Sequence, residues 1–345
     1  MTPPLIVITC GGTGGHVTPA IALAQTLAQQ VPPIQSVIVG SQGRIDASIV
    51  ARYHVPFVGI AGRSWGSLGL GILKSLRYLR QHRPLAVVAT GGSVTVCMGI
   101  AAWLRGIPLI VLEQNSRAGR TNRLLHRWAT RTIVAMTPTM GLSGDKVRCL
   151  GNPVRAHFDH EPWLDEALAP LTHAILIMGG SQGALAINHA VTPLYDTWAA
   201  QGHDIIHLMG EKGYRAAGYQ GTHHCRAIGN RHCLIAPYIE GMDRVYQVAH
   251  TVISRAGATT IAECLAFDKP AVLIPYPHAK DHHQDDNAAW MVAQGRAVCL
   301  PESRLNELPM ALTQLAACPP RTTPTTSLAR DAIVAEILSL CDWHS

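Results

Sequence analysis

Charge is what this chain is short of. Only 14% of its 345 residues are charged, against 48% apolar, a balance that excludes a disordered chain. Its nine cysteines are odd in number, scattered, and contain no Cys-x-x-Cys pair. With no basic and apolar leader before the first β-rich run, they read as reduced thiols of a cytoplasmic protein. No uninterrupted apolar run reaches about 18 residues, so no segment is expected to span a membrane. There is no basic block with interleaved aromatics, which argues against nucleic acid as a partner. Histidine is plentiful, yet His223–His224 and His282–His283 lack H-E-x-x-H spacing or a zinc-finger cysteine. They are expected to be surface or hydrogen-bonded residues, and no metal is expected.

What is present is a repeated unit. Leu5–Thr9 is an apolar run that meets Gly11-Gly12-Thr13-Gly14-Gly15-His16, then a helical pattern from about Pro19 to Gln29. His173–Met178 meets Gly179-Gly180-Ser181-Gln182-Gly183-Ala184, then a helical pattern from Leu185 to Ala200. A strand, glycine turn and helix in that order aim backbone N–H groups and the positive helix end at a phosphate. Further strands are expected at 36–40, 57–60, 85–89, 108–112 and 131–135, with helices at 44–53, 69–82, 94–105 and 118–128. The second half repeats the alternation, with strands at 204–209, 233–236, 251–254, 271–274 and 297–300 and helices at 242–249, 258–267 and 284–294. The pattern breaks at Gly151-Asn152-Pro153 and stays polar to about Pro170. The fold class expected is therefore α/β, with two Rossmann-like domains of parallel strands facing across a cleft. They should cover 1–152 and 153–325, with a last helix in 326–345 packing back on the first domain. The formal net charge of +6 suits an anionic ligand or an anionic membrane surface.

The glycine loops do not spell a dinucleotide site. With Gly12 and Gly14 as the first two glycines of G-x-G-x-x-G, the third place holds Val17, and the second strand ends in Gly40-Ser41-Gln42 without an acid. No Gly-Lys-Ser/Thr makes either loop a P-loop. Ser254 to Glu263 is another strand-to-helix junction, with Thr259 and Thr260 in the first helical turn. Glu263 suits a ribose diol, since a carboxylate accepts two hydrogen bonds; it equally suits the helix dipole. The stretch from Pro275 to Asn287 is rich in side chains able to read sugar hydroxyls, or is a solvated loop. No Asp-x-Asp is available to hold a divalent ion on a sugar nucleotide, so a diphosphate would be bound without metal or other cofactor. His16, at the mouth of its loop, titrates near neutrality when unperturbed. It is a candidate base, or a residue that shapes the loop.

Six ordered motifs together resemble the MurG family of bacterial cell-wall glycosyltransferases. They are Gly11–His16, Glu113-Gln114-Asn115, Gly151-Asn152-Pro153-Val154-Arg155, Gly179–Ala184, Arg255–Glu263, and Gln284 with Asn287. The resemblance covers nearly the whole chain. It implies a GT-B fold and inverting transfer of N-acetylglucosamine from UDP-GlcNAc to lipid I, the undecaprenyl-diphospho-MurNAc-pentapeptide, giving lipid II. It further implies that Ile239 offers backbone contacts to uracil and Met242 lines that pocket. Glu263 would hold the ribose, and Ser181, Ala258, Thr259 and Thr260 the diphosphate. Gln284 and Asn287 would read the sugar, Asn115 and Arg155 would reach the donor from the other domain, and Thr13, Gly14, Gly15 and His16 would lie beneath the reacting centre. His16, Glu263 and Asn115 are the candidate catalytic residues.

Two positions depart from the family. Where it usually has Gly-Gly-Tyr-Val-Ser-Gly-Pro, this chain has Gly91-Gly92-Ser93-Val94-Thr95-Val96-Cys97, and Leu112 replaces the usual His before Glu-Gln-Asn. Both lie on the expected acceptor side, leaving room for a different lipid or small-molecule acceptor, or for a noncatalytic UDP-GlcNAc-binding protein. Finally, residues 65–83 interleave Leu68, Leu70, Ile72, Leu73, Leu76 and Leu79 with Lys74, Arg77, Arg80 and Arg83. Such a helix either covers the sheet or lies in a membrane interface. The family's lipid-linked acceptor implies peripheral attachment at the cytoplasmic face of the inner membrane.

Overall fold

The computed structural model describes residues 4–11, 14–41, 50–60, 68–155, 162–180, 183–317 and 329–341. The chain divides into two units, Met1–His157 with Thr326–Ser345, and Phe158–Thr325. The first unit thus extends a few residues beyond Asn152 and includes the chain's last helical stretch.

In the first unit the strands are β1 (Leu5–Cys10), β2 (Gln35–Gly40), β3 (Phe57–Gly59), β4 (Ala86–Gly91), β5 (Leu109–Glu113), β6 (Arg131–Val134) and β7 (Val147–Cys149). All pair in parallel, in the order β3-β2-β1-β4-β5-β6-β7. The second unit holds β8 (Ala174–Met178), β9 (Asp204–Leu208), β10 (His224–Ile228), β11 (Arg231–Ala236), β12 (Ala249–Ser254), β13 (Ala271–Leu273) and β14 (Ala297–Cys299). Their order is β10-β11-β9-β8-β12-β13-β14, parallel except for the β10–β11 hairpin. Each sheet therefore runs outward in both directions from its first strand, which is the doubly wound Rossmann order.

The helices of the first unit are α1 (Gly14–Ala28), α2 (Leu68–His82), α3 (Ser93–Leu104) and α4 (Arg120–His126). The second unit has α5 (Pro162–Leu168), α6 (Leu185–Val191), α7 (Tyr195–Ala200), α8 (Glu211–Ala216), α9 (Met242–Val248), α10 (Ala258–Ala266), α11 (His283–Ala293) and α12 (Leu308–Ala316). The chain then returns to the first unit as α13 (Ala329–Ser339).

Alternation along β1 explains the layering. Ile6, Ile8 and Cys10 pack with Val17, Ile21 and Leu27 of α1 and Ile333, Val334 and Ile337 of α13. Val7 points the other way, to Leu79 of α2 and Met98 and Ala101 of α3. A strand buried on both faces reads as a continuous apolar run, as Leu5–Cys10 does.

Two expectations need correcting. Helix α1 starts at Gly14, so Pro19 lies inside it instead of opening it. The stretch 184–200 is not one helix: Pro193 sits in a 3-10 turn, Thr192–Leu194, between α6 and α7. Proline's missing N–H and its ring are the physical cause. Strand β10, with four of five residues exposed, carries no apolar signal and was not anticipated. The same holds for short β7 and for α5, α8 and α12. The helix expected at 44–53 falls mostly outside the described residues.

Candidate functional site

In the second unit the chain leaves β8 towards β9 on one side, while β12 leads to β13 on the other, and Ser254 lies opposite Met178 where the two strands end. Ligands of open α/β sheets bind beyond the strand C-termini at such a reversal. Both glycine-bearing junctions sit there: Gly179–Ala184 after β8 and Arg255–Thr260 after β12. Ser181 and Gln182 lie outside the described residues. Gly183 has φ +73° and a Cβ there would fall 2.4 Å from the Met209 carbonyl oxygen, so only glycine lets the loop close on the end of β9.

Helix α10 opens at Ala258 after an extended Gly257 that provides no side-chain cap. Ala258, Thr259 and Thr260 thus supply the first N–H groups, the ones a helix leaves for an anion. The Thr259 hydroxyl is buried and has no hydrogen-bond partner among the described residues. Glu263 is the sixth residue of α10, beyond the first turn where the helix dipole acts, which removes the dipole reading. It is only 8% exposed. Its Oε2 accepts the hydroxyl of fully buried Tyr246 on α9 at 3.1 Å. Burial and the Glu263 charge hold that phenol protonated, far above its ordinary range.

The neighbouring loops are tied to this junction. Arg255 donates to the carbonyls of Ile274 and Pro275, pairs with Glu302, and lies under the Tyr276 ring. The Gln284 side-chain oxygen accepts the Tyr276 N–H at 2.9 Å. Asn287 is fully buried and its amide donates to the Ala256 carbonyl at 3.2 Å. Ile239, fully buried, and Met242, buried, occupy the turn from β11 into α9.

A second set of groups, invisible in the sequence, stands behind the β8 loop. Tyr195 donates to Nδ1 of His207, whose Nε2 donates to Asn188 Oδ1 at 2.9 Å, and Asn188 donates to the Met209 carbonyl at 2.9 Å. This is the same carbonyl that Gly183 closes on. The chain of donors works only with a neutral imidazole, and burial lowers the His207 pKa from 6.5 to about 3. The sign follows from linkage: between pH 6.5 and 3 the unfolded chain takes up a proton that the native state refuses. Stability should therefore fall as pH drops below 6.5 and be level above it on this account. Urea midpoints at pH 5 and pH 7.5 check this, and His207→Gln should flatten the difference.

In the first unit, His16 occupies the opening turn of α1. Its Nδ1 is 3.0 Å from the Gly11 carbonyl oxygen, which makes Nδ1 the protonated nitrogen and leaves the lone pair on Nε2. A Cβ on Gly91 would lie 2.8 Å from that Nε2, so Gly91, at φ +118°, keeps it clear. Thr90 Oγ1 donates to the His16 carbonyl at 2.9 Å, and Gln114 Nε2 donates to the Thr90 carbonyl at 2.9 Å. Beside it, buried Glu113 gathers four donors: the N–H and side-chain amide of Asn115, the Gly119 N–H and the Asn122 amide. Asn115 is thus held by its neighbour two residues back. Gly14 and Gly15 begin α1, while Thr13 lies outside the described residues. Arg155 is 7% exposed, stacked over Tyr53 and bonded to its hydroxyl, and its carbonyl accepts from Arg330. Of the two departures, Leu112 is fully buried in the core against α1, whereas Ser93 is an exposed residue opening α3.

Two Rossmann-type units of parallel strands, each with a glycine-bearing junction after its first strand, have the architecture of the GT-B class of glycosyltransferases. Sequence comparison agrees. Residues 6–134 match the glycosyltransferase family 28 N-terminal domain and residues 174–337 its C-terminal domain. The UDP-N-acetylglucosamine–N-acetylmuramyl-(pentapeptide) pyrophosphoryl-undecaprenol N-acetylglucosamine transferase of Alkalilimnicola ehrlichii is 36% identical, over 93% of this chain and 92% of that one. The same enzyme of Methylococcus capsulatus is 35% identical over 89% and 87%. The crystal structure of Acinetobacter baumannii MurG superposes with a TM-score of 0.73 at 28% identity, covering 98% of this chain and all of that one. The chain belongs to the MurG family.

Proposed function

We propose that this chain transfers N-acetylglucosamine from UDP-GlcNAc to lipid I, forming lipid II for peptidoglycan. The observation that carries the proposal is the correspondence along 92% of a transferase named for that activity, and the helix start at Ala258 beyond β12 supports it. The acceptor hydroxyl attacks the sugar's anomeric carbon, the bond to UDP breaks with inversion, and Nε2 of His16 takes the proton. UDP departs carrying the extra negative charge, which the α10 N-terminus with Ala258, Thr259 and Thr260, and the loop with Ser181, would meet. Glu263 would hold the ribose, Ile239 and Met242 the uracil, and Gln284 and Asn287 the sugar. Asn115 and Arg155 would complete the donor contacts, with Thr13, Gly14 and Gly15 under the reacting atoms.

The test is UDP release from UDP-GlcNAc with and without a short-chain lipid I analogue. Acceptor-dependent release with a disaccharide product is expected. Donor binding without acceptor-dependent release would overturn the lipid I assignment and favour the other acceptor, which exposed Ser93 leaves open.

No described helix is long and apolar enough to cross a membrane. Peripheral attachment at the cytoplasmic face rests on α2. Its Gly71, Ser75 and Leu79 are buried, while Leu70 and Leu73 are 56% and 64% exposed. Arg77 and Arg80 line a groove with Arg105, the residue that ends α3 next to exposed Trp103 and Leu104. One face of α2 covers the sheet and the other offers leucines ringed by cations, which suits an anionic bilayer surface. A Leu70→Glu, Leu73→Glu variant should bind phosphatidylglycerol vesicles at least about tenfold more weakly in co-sedimentation, from lost apolar burial.

A further inference from the structure

The second unit carries a cluster at the edge opposite its donor site. His173 immediately precedes β8, His203 immediately precedes β9, and His250 is the second residue of β12, so all three lie at strand N-termini. One ring nitrogen from each lies within 4.8 Å of those offered by the other two. These residues are 30 and 47 positions apart in the chain, and none belongs to the paired histidines evident in the sequence.

Local structure brings the three rings side by side. Strands β8 and β9 start in register, Ala174 beside Asp204, and the Asp204 N–H donates to the His173 carbonyl. The pairing of β12 with β8 shifts register between Ala249 and Thr251, so His250 is the extra residue of a bulge, a device that re-aims a side chain. Its Nδ1 lies 2.9 Å from the Ala174 carbonyl oxygen. That hydrogen bond fixes the proton on Nδ1 and turns Nε2 into a free lone pair, as in histidines that ligate metals. Nδ1 of His203 is buried and without a partner among the described residues.

We propose that His173, His203 and His250 form a binding site for a late first-row divalent metal ion of the zinc type. Three imidazoles with water in the fourth position are a known zinc donor set. Such ligands bind a metal as neutral imidazoles. Two cations, Lys269 and Arg231, act against an added positive charge, while the Asp204 carboxylate acts for it. The rings lie face to face, His173 and His250 with centroids 3.6 Å apart and His203 and His250 4.8 Å apart. Their lone pairs therefore converge only after rotation about the soft terminal torsion of histidine. Exposed His173 is the ligand freest to turn. The site lies away from the transfer chemistry, so its role is to clamp the starts of three adjacent strands.

The test uses the untagged full chain and Zn2+ alone at pH 7.5, by titration calorimetry, with His173→Gln as the variant and His224→Gln as control. One equivalent should bind to the parent and the control, and at least about tenfold more weakly to His173→Gln. Zn2+ should also raise the thermal midpoint of the parent and not of His173→Gln. His173 is exposed, so its replacement leaves the fold intact. Absence of zinc binding to the parent, or equal binding to His173→Gln, overturns the proposal.

Discussion

Replacing His16 with alanine is expected to lower turnover by about 10²- to 10⁴-fold, the usual contribution of a general base, while donor affinity changes little. The geometry already separates the two nitrogens: Nδ1 is spent on the Gly11 carbonyl at 3.0 Å, and Nε2 faces the space that a side chain on Gly91 would fill. His16→Asn sharpens the experiment. An asparagine amide can still donate to the Gly11 carbonyl but cannot take a proton near neutral pH. If His16 is the base, both variants lose turnover alike. If it only shapes the loop, asparagine should rescue, and alanine should weaken UDP-GlcNAc binding as much as it slows transfer. Steady-state kinetics with calorimetric donor affinities distinguish these outcomes.

The second large effect is expected on binding. Glu263→Ala should weaken UDP affinity by the loss of a charge-assisted hydrogen bond, about 1.5–3 kcal/mol or roughly ten- to 150-fold. Because Glu263 also accepts the Tyr246 hydroxyl, part of any loss could come from that orphaned phenol. Tyr246→Phe removes the phenol and keeps the carboxylate, and it should retain most of the affinity. A further control is UDP lacking both ribose hydroxyls, for which Glu263→Ala should cost almost nothing. Unchanged affinity for ordinary UDP in Glu263→Ala would remove the ribose assignment.

The fold was legible wherever burial wrote itself into adjacent residues. Strands such as Ala174–Met178 are uninterrupted apolar runs because both faces are covered, and the glycine junctions after β1 and β8 mark where chain and helix must turn tightly. Elements on the sheet margins were not legible. Exposed β10 has no core-facing set, and three-residue β7 is too short for a period. The split between α6 and α7 was written in Pro193, but the apolar pattern on either side concealed it. At the site, residue types at strand ends could be picked out, while their supports could not. Glu113 with Asn122, Glu263 with Tyr246, and the line from Tyr195 through His207 and Asn188 to Met209 join positions that only the folded chain brings together. For the same reason the three histidines behind β8, β9 and β12 escaped a search for spaced motifs.

The return of α13 to the first unit bears on how the protein is made. Ile333, Val334 and Ile337 complete the layer over Ile6, Ile8 and the apolar face of α1, yet they are translated after all of Phe158–Thr325. During synthesis the amino-terminal half must therefore wait with an uncovered apolar face while the other half emerges and folds as a unit. The last turns of the chain act as the closing piece of its first-made half.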